Sequence, residues 1–140
     1  MSHNNISLHS PHPYPESMLR TAQEQLGSLM ELAVKDLGYD LDAFFRIFVD
    51  TGTAELFGEG HPRLVLGMTP VELAAFVLKR AGREEEINYT DSCYNDLYWT
   101  GWALSWYQWE SGLSFAEILE KVPASRVLSL YNPLHQADIS

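Results

Sequence analysis

The chain has 140 residues, the length of one domain, and 46% hydrophobic with 12% aromatic content supplies a core and argues against global disorder. Nineteen acidic residues against nine basic give a net charge of −10. That balance disfavours charge-driven binding of nucleic acid and suits a basic partner, the mimicry of a nucleic-acid backbone, or plain solubility. No apolar run reaches the roughly 18 residues of a membrane span, so no membrane association is expected. The N-terminus shows no basic region followed by an apolar stretch, and Cys93 is the single cysteine. No internal disulfide can form, and a cytoplasmic address is the expectation.

Residues 1–14 are polar and lack periodicity, so a mobile tail is predicted. The tail holds His3, His9 and His12 without a carboxylate or thiol at ligand spacing, which does not make a metal site. Residues 15–140 then read as one helical domain. A first helix starts at Pro15 with Glu16 in its first turn, and carries Leu19, Ala22, Leu26, Leu29, Met30, Ala33, Val34 and Leu37 at steps of three and four. Gly38 is its C-terminal cap.

Asp40 caps a second helix with Leu41, Phe44, Phe45, Phe48 and Val49 on its buried side. Thr51-Gly52-Thr53 breaks it, and Ala54 to Phe57 adds about another turn. The loop Gly58 to Pro62 has a G-x-G spacing, but neither a preceding strand nor a following lysine supports phosphate binding. His61 reads as an exposed loop residue, and Arg63 to Gly67 as an extended or turn-like connector. Thr69-Pro-Val-Glu72 is a capping-box start for a helix that buries Leu73, Phe76, Val77 and Leu78 and ends at Gly82. Glu84, Glu85 and Glu86 form a solvated run. Adjacent carboxylates do not make an acid/base pair, which needs two groups facing one substrate in different environments. Cys93 has no base beside it in sequence, so no nucleophile is assigned.

Tyr94 to Gly112 holds all four tryptophans, Trp99, Trp102, Trp106 and Trp109, at spacings of three, four and three. Those steps place them on one stripe of a helix, with Tyr98 one step before Trp102. Such a stripe predicts a buried core helix through the centre of the domain. The competing reading is a partly open aromatic groove. Gly101 and Ser105 lie on another side, where small residues let a second helix approach closely. Ser114-Phe-Ala-Glu117 is a second capping box, before a short helix that stops at Pro123. Ser125 caps a last short helix, which Asn132-Pro133 ends. His135 and Asp138 lie three apart, which reads as a local surface contact in the absence of further metal ligands. The predicted architecture is all-α, an irregular or orthogonal bundle of about five to six helices around the tryptophan helix.

Several segments carry a resemblance: Asp36-Leu-Gly-Tyr-Asp40, Phe44 to Phe48, Gly67-Met-Thr-Pro-Val-Glu-Leu73, Tyr98-Trp-Thr-Gly-Trp-Ala103, and Tyr131-Asn-Pro-Leu-His135 with Asp138. From Ser28 to Ser140 the chain resembles an uncharacterised family of bacterial proteins, common in gut Firmicutes and Actinobacteria. Many such proteins continue into a repressor-like helix-turn-helix domain. They often stand beside proteins that look like toxin–antitoxin components, one of them ADP-ribosyltransferase-like. The resemblance assigns no catalytic residues. The chain stops at Ser140, where the second domain of that pattern would begin. The resemblance therefore implies either the sensing or interaction half alone or a naturally short member, and in both cases no DNA binding by these residues is expected.

Three functions are therefore weighed. The first is a non-catalytic protein-interaction or regulatory domain, antitoxin-like or the sensing half of a transcriptional regulator. Its partner would be a protein, basic in character, or a second copy in a homodimer. The second is an enzyme or small-ligand binder with Tyr98, Trp99, Trp102, Trp106, Tyr107 and His135 as binding residues and Asp96 as a further polar group. The third is an acidic nucleic-acid mimic built on Asp36, Asp40, Asp42, Asp50, Glu55 and Glu59. No metal, cofactor or catalytic residue is assigned.

Overall fold

The computed structural model describes residues 12–88 and 95–139, with side chains through Tyr131. Eight α-helices occur among the described residues, and no strand. They are α1 (Leu19–Glu31), α2 (Leu41–Asp50), α3 (Thr53–Gly58), α4 (Pro62–Val65), α5 (Pro70–Arg80), α6 (Asp96–Ser111), α7 (Phe115–Lys121) and α8 (Ala124–Ile139). The fold is an all-α bundle, as the helical periodicities predict.

The helix at the centre is α1, not the tryptophan helix α6. A short 3-10 turn, Glu16–Met18, leads into α1, and a π-helical segment, Leu32–Asp36, continues it. Gly38 follows with φ +78°, the left-handed turn expected of a C-terminal glycine. The predicted positions Ala22, Leu26, Leu29, Met30 and Ala33 are all fully buried. Gln23, Gln25, Gly27 and Glu31 are buried as well, so neighbours surround α1. It packs against α4, α5 and α6. Its buried polar groups are used. Gln25 Nε2 donates to the carbonyls of Leu64 (3.2 Å) and Met68 (2.8 Å), near the α4 terminus, where helical carbonyls lack intrahelical partners. Glu31 Oε2 accepts from the Asn95 N–H at 3.3 Å, just before α6.

The crossing of α1 and α6 depends on two glycines. A Cβ on Gly101 would stand 2.5 Å from the Leu26 carbonyl oxygen and 2.7 Å from Gly27 Cα. A Cβ on Gly27 would stand 2.7 Å from the Tyr98 carbonyl oxygen. Backbone meets backbone here, closer than any side chain allows. The close approach expected at Gly101 and Ser105 is thus present, and α1 supplies the other glycine.

The aromatic core lies elsewhere. Phe44, Phe45 and Phe48 of α2, Phe57 of α3 and Phe115 of α7 are fully buried. The rings of Phe45, Phe48, Phe57 and Phe115 neighbour one another with centroids 5.8–6.3 Å apart, tilted or edge-on. Gly52, at φ +82°, turns the chain between α2 and α3, where a break was expected. Both predicted capping boxes form. Glu72 N donates to Thr69 Oγ1 (3.1 Å) while Thr69 N donates to Glu72 Oε1 (2.9 Å). Ser114 and Glu117 repeat this with 3.1 and 2.8 Å.

Four local expectations are corrected. Arg63 to Gly67, expected as an extended or turn-like connector, is not extended: Pro62 at the first helical position starts the single turn α4. Ser125 is not a cap. Its N–H donates to Asp42 Oδ1 at 2.9 Å, so α2 caps α8 from outside. Helix α8 does not stop at Asn132-Pro133 but runs on to Ile139. A proline removes one helical hydrogen bond and disturbs the turn before it, a cost of about 3 kcal/mol that does not by itself end a helix. The tail expected over residues 1–14 does not include Tyr14, which is buried and belongs to the core, while residues 1–11 lie outside the described residues.

The crossing makes a sharp prediction. Gly101→Ala in an exposed helix would stabilise by about 1 kcal/mol. Here its methyl meets backbone, and the urea midpoint should fall by the equivalent of roughly 1–3 kcal/mol. A rise in the midpoint would show that α1 and α6 do not touch at Gly101.

Candidate functional site

Helix α6 starts at Asp96, with Asn95 as its cap. The Asn95 side chain accepts from Leu97 N (3.0 Å) and Tyr98 N (3.4 Å). The helix ends at Gly112, whose φ is +77°. Its inner stripe is Thr100, Gly101, Leu104, Ser105 and Gln108, all buried. Three of the five are polar. Thr100 Oγ1 donates to the Asp96 carbonyl (2.8 Å), and Gln108 Nε2 to the Gly58 carbonyl (3.0 Å). The aromatic residues therefore take the flanks and the outer side, inverting the usual order in which the apolar side faces the core.

The tryptophan stripe is consequently not a core stripe, and this corrects the sequence reading. Only Trp109 is buried, at 6% exposure, and Trp106 is 48% exposed. Trp99 and Trp102 are half-buried. The Trp99 ring leans on Tyr131 of α8, with centroids 5.5 Å apart. The Trp102 carbonyl accepts a long hydrogen bond from Gln23 Nε2 (3.4 Å). The physical reason is the glycine crossing: a gap set by two Cα atoms has no room for an indole.

The five candidate binding residues whose side chains are described are not brought to one place. Tyr98 and Tyr107 are nine positions apart, about two and a half helical turns, and so face opposite sides. Tyr98 packs at Gly27, whose added Cβ would meet its ring Cδ1 at 2.8 Å, whereas Tyr107 is 41% exposed. Trp99, Trp106 and Tyr107 share the outer half of α6 with exposed Glu110. The side chain of His135 lies outside the described residues, as do Cys93, His3 and His9. Asp40 and Asp42, two of the acids considered for nucleic-acid mimicry, hold helix ends: Asp40 Oδ2 accepts from Ala43 N at 3.1 Å, and Asp42 caps Ser125.

Sequence reasoning missed the strap over the C-terminal end of α6. His12 stacks on Trp109 with centroids 3.6 Å apart, and its Nε2 lies 3.6 Å from Glu110 Oε1. Trp109 Nε1 donates to the Tyr14 carbonyl at 2.8 Å. Tyr14 packs on Gly60, where φ is +81° and an added Cβ would come within 2.5 Å of the Tyr14 Cβ. The Tyr14 hydroxyl is buried beside Ser105, without a well-formed hydrogen bond between them. Burial raises its pKa above the usual 10.0, and Ser105 offsets part of that rise. A second tyrosine, Tyr39, donates to Glu85 and accepts from Arg83 Nη1 at 3.0 Å, tying the acidic loop to the end of the π segment. Its pKa is also raised, by burial first and by Glu85 second.

Among the described residues, no group of three or more His, Cys, Asp or Glu is placed to hold a metal ion. No helix there is long and apolar enough to cross a membrane. Comparison with protein-family models, with curated proteins and with solved structures finds no match to this chain.

The buried tyrosine gives a pH prediction. Below pH 10 it is neutral in both folded and unfolded chains. As pH rises from 10.0 through the higher folded-state value, the unfolded chain ionises first and stability is lost. Tyr14→Phe should flatten this alkaline loss in urea titrations and should not lower stability at pH 7, since the buried hydroxyl it removes lacks a good partner. An unaltered alkaline slope would contradict the burial of Tyr14.

Proposed function

We propose that this chain is a protein-interaction domain whose contact face is the outer side of α6, and that its partner is basic. The observation that carries this reading is the inverted helix. Thr100, Ser105 and Gln108 are buried, while Trp106 and Tyr107 stand in solvent. Tryptophan and tyrosine are the side chains that most often dominate binding energy at protein interfaces. Exposed Glu110 on the same side and the net charge of −10 select a partner with lysine or arginine, which also pairs well with an indole face. A second acidic copy is a poorer occupant, because like charges oppose it.

The narrower reading is regulatory: an antitoxin-like partner, or the sensing half of a transcriptional regulator. It draws on the resemblance of Tyr98-Trp-Thr-Gly-Trp-Ala103 and its companion segments to the bacterial family described above.

The test is a pull-down with the full chain as bait, at low and high salt, beside a Trp106→Ala/Tyr107→Ala variant. Both side chains are exposed, so the variant should keep its fold. A basic protein released by high salt and not retained by the variant is the expected result. A partner held equally by the variant would place the contact face elsewhere on the molecule.

A further inference from the structure

A second surface of the molecule collects acceptors without collecting donors. It is a cleft of about 190 Å³ between α3 and the turn from α6 to α7. Glu55, Glu59 and Glu117 line it, and among the described residues no lysine, arginine or histidine does. Glu55 and Glu59 are exposed and have no ion-pair partner among the described residues. Glu117 uses Oε1 to accept from Ser114 N, which leaves Oε2. Gly112 brings the C-terminal end of α6 to the same cleft, where helical carbonyls carry partial negative charge.

Gln108 is the independent observation. It also lines the cleft and is only 3% exposed. Its amide Nε2 donates to the Gly58 carbonyl at 3.0 Å, which fixes the orientation of the group. Its Oε1 is buried and has no hydrogen-bond partner. A buried acceptor of this kind is costly unless a donor reaches it. Leu113 and Pro13, both half-buried, supply apolar wall beside it.

We propose that this cleft binds a guanidinium group carried on an alkyl stem, the chemistry of an arginine side chain. The acids are not gathered closely enough for a metal ion. A guanidinium is planar and carries five N–H donors in a fork, so it can serve Gln108 Oε1 and separate glutamates at once. Its methylene stem packs on Leu113 and Pro13. The inference deepens the reading of the chain as a domain for a basic partner and rests on it for the source of the arginine. Free agmatine offers the same chemistry.

The test is titration of the full-length ¹⁵N-labelled chain with agmatine, and in parallel with short glycine–serine peptides carrying one central arginine or one central lysine. Shifts of the Gln108 side-chain amide and of Leu113 are expected with both guanidinium probes. Tighter binding of the arginine peptide than of agmatine identifies a protein-borne source, and the reverse a free one. Glu55→Gln/Glu59→Gln should weaken binding at least about tenfold, while Glu84→Gln/Glu86→Gln, an equal loss of charge elsewhere, changes it by less than about twofold. No shift at Gln108, equal weakening by both pairs, or equal binding of the lysine peptide would overturn the proposal. If the salt-sensitive partner is still captured through Trp106 and Tyr107 in that case, the cleft alone is wrong. If that capture fails too, the reading of the chain as a binding domain fails with it.

Discussion

The structure depends on the contact between Gly27 and Gly101. Two helices meet there with backbone against backbone, and an added Cβ on Gly101 would stand 2.5 Å from the Leu26 carbonyl. Glycine weakens a helix interior by roughly 1 kcal/mol, so two of them facing each other call for a packing reason. The reason is distance. Ordinary helices pack about 8–10 Å apart, held off by their side chains. Removing the Cβ atoms lets α6 settle onto α1 at Gly101, with Thr100, Leu104, Ser105 and Gln108 buried on the same inner side.

That choice of inner face decides what happens to the large rings. The tryptophans cannot enter so narrow a seam and are carried to the flanks and outside of α6. Each then has different surroundings: Trp99 against Tyr131, Trp102 half-buried, Trp106 in solvent, and Trp109 beneath His12. The burial that tryptophan would have supplied comes instead from five phenylalanines on α2, α3 and α7. The polar side chains drawn inward must find partners, and one finding follows directly. Gln108 meets the Gly58 carbonyl with its amide nitrogen and leaves its oxygen buried without a partner.

Much of this was legible in the chain. Periodicity located the helices, Thr69–Glu72 and Ser114–Glu117 announced their starts, and Gly38 and Gly52 announced turns. The phenylalanines of α2 were read as buried. The rotation of the tryptophan helix is not legible from ring size, because the spacing of its small residues decides which side faces the core. The step pattern of Thr100, Gly101, Leu104, Ser105 and Gln108 was available, and so was Gly27 in the middle of a helical run. What no local pattern reveals is a contact between segments remote in sequence. Tyr14 under Trp109, Asp42 at Ser125 and Gln25 at Leu64 join residues whose own neighbours carry no sign of the partner. A mobile tail was predicted for the same reason: only the folded surface shows that Tyr14 has a place on Gly60.

The rotation of α6 is the central claim, and hydrogen exchange at the four indole N–H groups tests it most directly by NMR. The Trp109 N–H, donated to the Tyr14 carbonyl at 2.8 Å, should exchange slowly, and that of exposed Trp106 should exchange within the dead time. If all four were equally protected, the tryptophan stripe would be the core face, and the glycine-to-glycine crossing would be wrong.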